Sequence, residues 1–284
     1  MSSSDQPPNE NEYGFRDTDA IEVFEYPNQA SKLIWSVDSN NILQISWQII
    51  EFIKTNKITI QIALCLIDNF SQIRVKDIKI FTELYSNILN KFSCIIKPKN
   101  VNLEKLLHFK GFKFDDFEPA MEEEEQILNL YSTESPLYYI AWYKVDDLKS
   151  KFPNLDIKEK IDYEITPLDC AIKYGSELCF NYLKNLGAQY TSESEKYAVQ
   201  GGNKNIFMQM IEDGKSFDNM ISIALRYRNY EIAEYLKTNL DQIPNSLVEC
   251  LIFGNYEIAS YLLSKGTDVN EIYILLLFTF IIIL

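Results

Sequence analysis

Asn229-Tyr230-Glu231-Ile232-Ala233-Glu234-Tyr235-Leu236 returns 26 residues later as Asn255-Tyr256-Glu257-Ile258-Ala259-Ser260-Tyr261-Leu262, with seven of eight positions identical. A fixed period of that size signals a repeat array, in which each unit buries its apolar face against its neighbours. Within the phrase, Ile258, Tyr261 and Leu262 share one face of a helix, so the unit predicts a helical stack.

Working outward, earlier copies can be laid beneath this one. They are Ser135-Pro136-Leu137-Tyr138-Tyr139-Ile140-Ala141, Ile165-Thr166-Pro167-Leu168-Asp169-Cys170-Ala171, Tyr197 to Gly202, Met220 to Asn229 and Ser246 to Asn255. Their small residues fall at Ala141, Ala171, Ala198, Ala224 and Cys250, at intervals of 30, 27, 26 and 26. Thr166 suits a helix N-cap and Pro167 a first helical position, where a missing N–H costs nothing. Gly175 and Gly187 suit positive φ where helices end. Cys179, Tyr182, Leu183 and Leu186 give the second helix of that copy its apolar stripe.

The Thr-Pro-Leu opening, the Gly187-Ala188 close and the later Lys265-Gly266-Thr267-Asp268-Val269-Asn270 resemble ankyrin repeats. Asp169 stands where that family usually carries the histidine that ties adjacent loops together. An ankyrin unit is about 33 residues, so the shorter spacing here predicts paired helices with clipped fingers. The contracted copies, the helical region ahead of them and the Gly201-Gly202-Asn203-Lys204-Asn205-Ile206 copy are similar to a divergent ankyrin family, uncharacterised in function and expanded in parasitic protists. The resemblance covers residues 135–270 and implies an all-α helical repeat solenoid of about five units, with no chemistry attached.

Upstream, residues 1–20 are polar and acidic and read as a disordered lead-in. Residues 21–134 read as an N-terminal helical region. Ile58-Thr59-Ile60-Gln61-Ile62 alternates like a strand, but Ile78, Phe81, Leu84, Tyr85, Ile88, Leu89 and Phe92 form a helical stripe that Asp77 is placed to cap. Lys97-Pro98-Lys99-Asn100 breaks that helix. Lysines interleaved with Phe109, Phe112, Phe114 and Phe117 could stack single-stranded nucleic acid. The acids that follow reverse the local charge, which favours phenylalanines docking a loop instead. Glu122 to Glu125 read as a helix's first turn, where the dipole favours acids.

The whole chain has 284 residues, 46% of them apolar, and a formal net charge of −14. That content suits a folded chain, and that charge argues against nucleic-acid partners and against an anionic membrane surface. Five cysteines with no C-x-x-C pair do not read as a disulfide framework; each reads as a small buried hydrophobe, and a cytoplasmic setting is expected. Residues 1–30 hold no apolar core that would mark a secretory signal. His108 is the single histidine, and no phosphate-binding glycine loop is present. No catalytic group, cofactor or metal site is expected, and the chain reads as a non-enzyme.

The expected function is a scaffold that binds a protein through the face lined by the ends of the first helices. Two and three residues past each small residue lie Tyr143 and Lys144, Lys173 and Tyr174, Gln200 and Gly201, Arg226 and Tyr227, and Ile252 and Phe253. Three of these pairs join an aromatic to a cation, types enriched at interfaces, and suit an acidic and apolar peptide. The candidate partner-binding residues are therefore Tyr143, Lys144, Lys173, Tyr174, Arg226, Tyr227 and Phe253. The competing reading packs these aromatics between repeats while the cations snorkel. Residues 271–284 form an apolar tail, uncharged from Ile272 onward and shorter than the roughly 20 residues that span a bilayer. It reads as a closing partner for the array, as a truncated or misread gene end, or as a short membrane dip. The last of these would make the chain a membrane-tethered adaptor.

Overall fold

The computed structural model describes residues 20–115, 123–161 and 165–267. The lead-in up to residue 19, Phe117, Glu122 and the tail over 271–284 lie outside the described residues. Within them the protein is all-α, with a lone antiparallel bridge between Ile161 and Ile165.

The first part is a bundle of α1 (Glu25–Trp35), α2 (Ile42–Lys54), α3 (Ile60–Ile73), α4 (Ile78–Phe92) and α5 (Val101–Phe109). The stripe expected on α4 buries Ile78, Phe81, Leu84, Tyr85, Ile88 and Leu89. The strand-like alternation before it is helix. Thr59 caps α3 by accepting from the Ile62 N–H at 3.2 Å, and Ala63, Leu64, Leu66, Ile67 and Phe70 are buried behind it. β-Branched residues lose tenths of a kcal/mol each in a helix, whereas burying one large apolar side chain contributes about 1.5–3 kcal/mol, so packing decides the element. Asp77 does not cap α4; its carboxylate takes the Arg74 Nε at 2.9 Å. Helix α4 stops ahead of the proline, at Ser93 in the left-handed region. Buried Asp68 accepts from the N–H groups of Lys99 and Asn100, which pins the α4–α5 connection to α3. Phe112 and Phe114 pack onto this core, while Phe109 is exposed.

Helix α6 (Glu124–Asn129) opens on a capping box between Glu123 and Gln126 and shares a small core of Ile78, Leu106 and Ile127 with the bundle. Five helix pairs follow: α7 (Pro136–Ala141) with α8 (Val145–Lys151), α9 (Pro167–Lys173) with α10 (Glu177–Asn185), α11 (Ser194–Gly201) with α12 (Lys204–Glu212), α13 (Ile221–Arg226) with α14 (Tyr230–Leu240), and α15 (Leu247–Ile252) with α16 (Tyr256–Ser264). Each first helix touches the first helix of the next pair, and the second helices do likewise from α8 to α14, giving two layers in register. Ser135, Thr166 and Ser246 cap first helices through their hydroxyls, with Pro136 and Pro167 at the first helical position.

The tight corner inside each pair sets the register. Tyr143, Gly175, Gly202, Arg228 and Gly254 all take positive φ there, between 56° and 69°. Their spacings are 32, 27, 26 and 26 residues. The first interval is therefore 32 and not 30. Tyr139, not Ala141, stands where Ala171, Ala224 and Cys250 stand: the Lys144 N–H donates to the Tyr139 carbonyl as those of Ser176, Asn229 and Asn255 donate to the carbonyls of Ala171, Ala224 and Cys250. The misalignment arose because α7 is one residue shorter than α9 and a buried tyrosine fills the small-residue position.

Candidate functional site

The ends of the first helices lie in a row along the array. With the corrected register, the residue before each corner is Trp142, Tyr174, Gly201, Tyr227 or Phe253, an aromatic column broken at the third copy. A Cβ on Gly201 would stand 2.3 Å from the Ile172 carbonyl oxygen, so the close approach of α9 and α11 excludes a side chain. One residue earlier lie Ala141, Lys173, Gln200, Arg226 and Ile252. Lys173 and Arg226 thus occupy equivalent places, whereas Lys144 sits beyond its corner and does not belong to the row.

The proposed pairing of cations with aromatics is present, but much of it joins parts of the chain to each other. Lys173 lies over the rings of Tyr174 and Tyr197, 5.5 and 5.7 Å from their centroids. Arg226 pairs with Glu249 of the next copy and lies 4.8 Å from the Phe253 centroid. Lys144 donates to the Tyr138 hydroxyl at 3.0 Å. Tyr227 is half-buried, and that burial pushes its phenol above its ordinary value. Exposed Tyr143 reaches across to donate its hydroxyl to the Tyr174 carbonyl at 2.7 Å.

The bundle meets the same edge. Along α3 and the turn after it, Leu66 packs at Gly254, the Asn69 amide donates to the Ile252 carbonyl at 2.8 Å, and Phe70 lies under Arg228 at 4.7 Å. Farther on, Lys76 points into a box of Trp142, Tyr143 and Tyr174, at 5.5, 3.8 and 5.3 Å from their centroids. Its Nζ is shielded from water, the setting in which a cation–ring contact is worth about 2 kcal/mol. From α1, Ser31 donates to the Gly254 carbonyl at 2.8 Å and Lys32 pairs with Glu257. Arg228 donates to Ser31 Oγ and the Gly254 carbonyl at 2.5 and 3.1 Å, and its guanidinium faces Trp35 at 4.9 Å. Burial away from water pulls the Arg228 guanidinium below its ordinary value.

Two further devices escaped the sequence reading. Asn203, Asn229 and Asn255, each just past a corner, donate side-chain amides to backbone carbonyls of the preceding copy: Gly175, then Val199 and Gln200, then Leu225, at 2.7 to 3.2 Å. The signal was in plain sight, since asparagine opens the repeated phrase. Asp169 also ties copies together after all: it accepts from Thr191 Oγ1 at 2.8 Å and from Ser194 Oγ, both in the next copy. A single carboxylate thus links neighbouring copies.

Cys170, Cys179 and Cys250 are buried as expected, whereas Cys65 is exposed and Cys94 half-buried. Among the described residues no group of His, Cys, Asp and Glu side chains is placed to hold a metal ion, and no helix is long and apolar enough to cross a membrane. Comparison with family models, curated proteins and solved structures found no match to this chain.

Proposed function

We propose that this protein is a protein-interaction scaffold of the ankyrin type, acting without catalysis in a reducing, cytoplasmic setting and binding a protein partner along the first-helix edge of its array. One observation carries the reading: that edge already holds a helix, α3, through cations, aromatic rings and backbone carbonyls. An edge with these groups has the chemistry to recognise a helical surface in another protein. Lys173, Tyr174, Arg226 and Tyr227 are its central cations and rings.

The test is to replace Lys173, Tyr174, Arg226 and Tyr227 together with alanine in the full chain. The variant is expected to keep its circular-dichroism helicity and to lose proteins that the wild type captures. An unchanged captured set at unchanged helicity sinks the proposal.

A further inference from the structure

The five corners are not alike. Three are glycine, which adopts positive φ freely; Tyr143 and Arg228 hold it at 62° and 56° against the steric cost that a Cβ brings. A residue that breaks a local rule points to a compensating gain elsewhere. Here both side chains reach the bundle, the Tyr143 hydroxyl also bonding within the array to the Tyr174 carbonyl. Tyr143 forms one wall of the box around Lys76, and Arg228 lies between the array and the rings of Trp35 and Phe70. The fifth corner is matched to the bundle in the opposite way. A Cβ on Gly254 would stand 2.4 Å from Ser31 Oγ and 2.7 Å from Leu66 Cδ2, so glycine there makes room.

Bundle and array nevertheless keep separate apolar cores. The seam between them joins polar contacts, Ser31 to Gly254, Asn69 to Ile252, Asn28 and Lys32 to Glu257, and the Ile21 N–H to Ser260 Oγ at 3.0 Å, to one apolar docking point, Phe24 against Tyr256 with ring centroids 5.5 Å apart. At its centre Arg228 donates to neutral oxygens, those of Ser31, Phe253 and Gly254. Arg228 thus ties Ser31, Trp35 and Phe70 of the bundle to the last corner of the array, so losing it loosens the seam while the two cores stay packed.

We propose that the N-terminal bundle is a cis-bound occupant of the array's corner edge, latched by Arg228, and that it swings off as a folded unit to admit a helix of a protein partner. The occupant defines what fits. Ser31 and Trp35 stand one helical turn apart on α1, the serine against Gly254 and the tryptophan against Arg228. A partner helix therefore carries a small residue followed four positions later by an aromatic. This consequence rests on the scaffold reading, whereas the latch stands on the seam alone.

The test uses the full chain and no partner, so it fails or succeeds separately from the capture experiment. Arg228→Gly removes the latch while restoring the residue that other corners use, which relieves the backbone. Hydrogen exchange of the Ile21 amide, which donates across the seam to Ser260 Oγ, should quicken on the order of 10- to 100-fold, while the intrahelical amides of α1 and α3 and the cores around Phe81 and Phe207 keep their protection. Small-angle scattering should show a larger radius of gyration. Ser31→Gln, which overfills the space above Gly254 from the bundle side with Arg228 intact, should quicken the same amide. Unchanged exchange in both variants overturns the latch. So does a uniform rise across the whole chain, which would make bundle and array one cooperative body.

Discussion

Asparagine recurs at the corners because it solves a local problem of stacking. A first helix ends with carbonyls that lack intrahelical donors, and the next copy covers them before water can pair with them. The Asn229 amide supplies donors to two such oxygens, at 2.7 and 3.0 Å. Asn229→Ala is expected to cost about 1–3 kcal/mol, the price of leaving buried carbonyls unmade. Urea denaturation should show a lower midpoint at unchanged slope; a loss no greater than that of Lys204→Ala would make the ladder incidental. Asp213 sets a second prediction. The Tyr190 hydroxyl, then Lys184 and Gln209, hold its carboxyl below the ordinary aspartate range. A depressed carboxyl adds stability above its unfolded value, and that stability is lost as pH falls through the folded value. Asp213→Asn should therefore flatten the drop in melting temperature below about pH 4, modestly because the group is near solvent. An acid limb as steep as that of the wild type would count against it.

At the scale of the element, legibility followed the size of the local signal. The α4 stripe and the Thr166-Pro167 opening read correctly, because helical spacing and capping are properties of neighbours in sequence. The run before Ala63 alternates like a strand yet is helix, as the helical reading of residues 21–134 requires, whereas Asp77 does not make the expected cap. A core contact in the one and an Arg74 ion pair in the other outweigh a weak local preference. The register of the first copy failed because a tyrosine took a small residue's place. Two positive-φ glycines, one after a second helix and one at a corner, allow a paired test. Gly187→Ala meets open space and should cost only the left-handed backbone term, about 1–2 kcal/mol. Gly254→Ala adds a collision with Ser31 and Leu66 and should cost roughly 1–3 kcal/mol more. Equal losses for the two in urea melts would mean that the bundle does not press on that corner.

At the scale of the molecule, two separate apolar cores predict uneven unfolding. Phe207 is buried against Phe217 and Tyr235, with ring centroids 4.5 and 5.5 Å away. Phe207→Ala should cost the array about 3–5 kcal/mol and leave the bundle core untouched. Its thermal unfolding should then resolve into two steps, array first. One coincident transition by fluorescence and calorimetry would contradict the separation. The candidate binding row was legible in kind, cations beside aromatics, but not in use, because the residues that engage it lie far away in the chain.

The sequence by itself determined the helical character, the near-27-residue rhythm and the punctuation of each copy, since glycine, proline and capping residues act on their immediate neighbours. Tertiary structure alone decided what lies along the row. Ser31 meets Gly254 across 223 residues, and Asn69 meets Ile252 across 183. Contacts at such separations leave no local pattern, because they depend on how two finished surfaces fit.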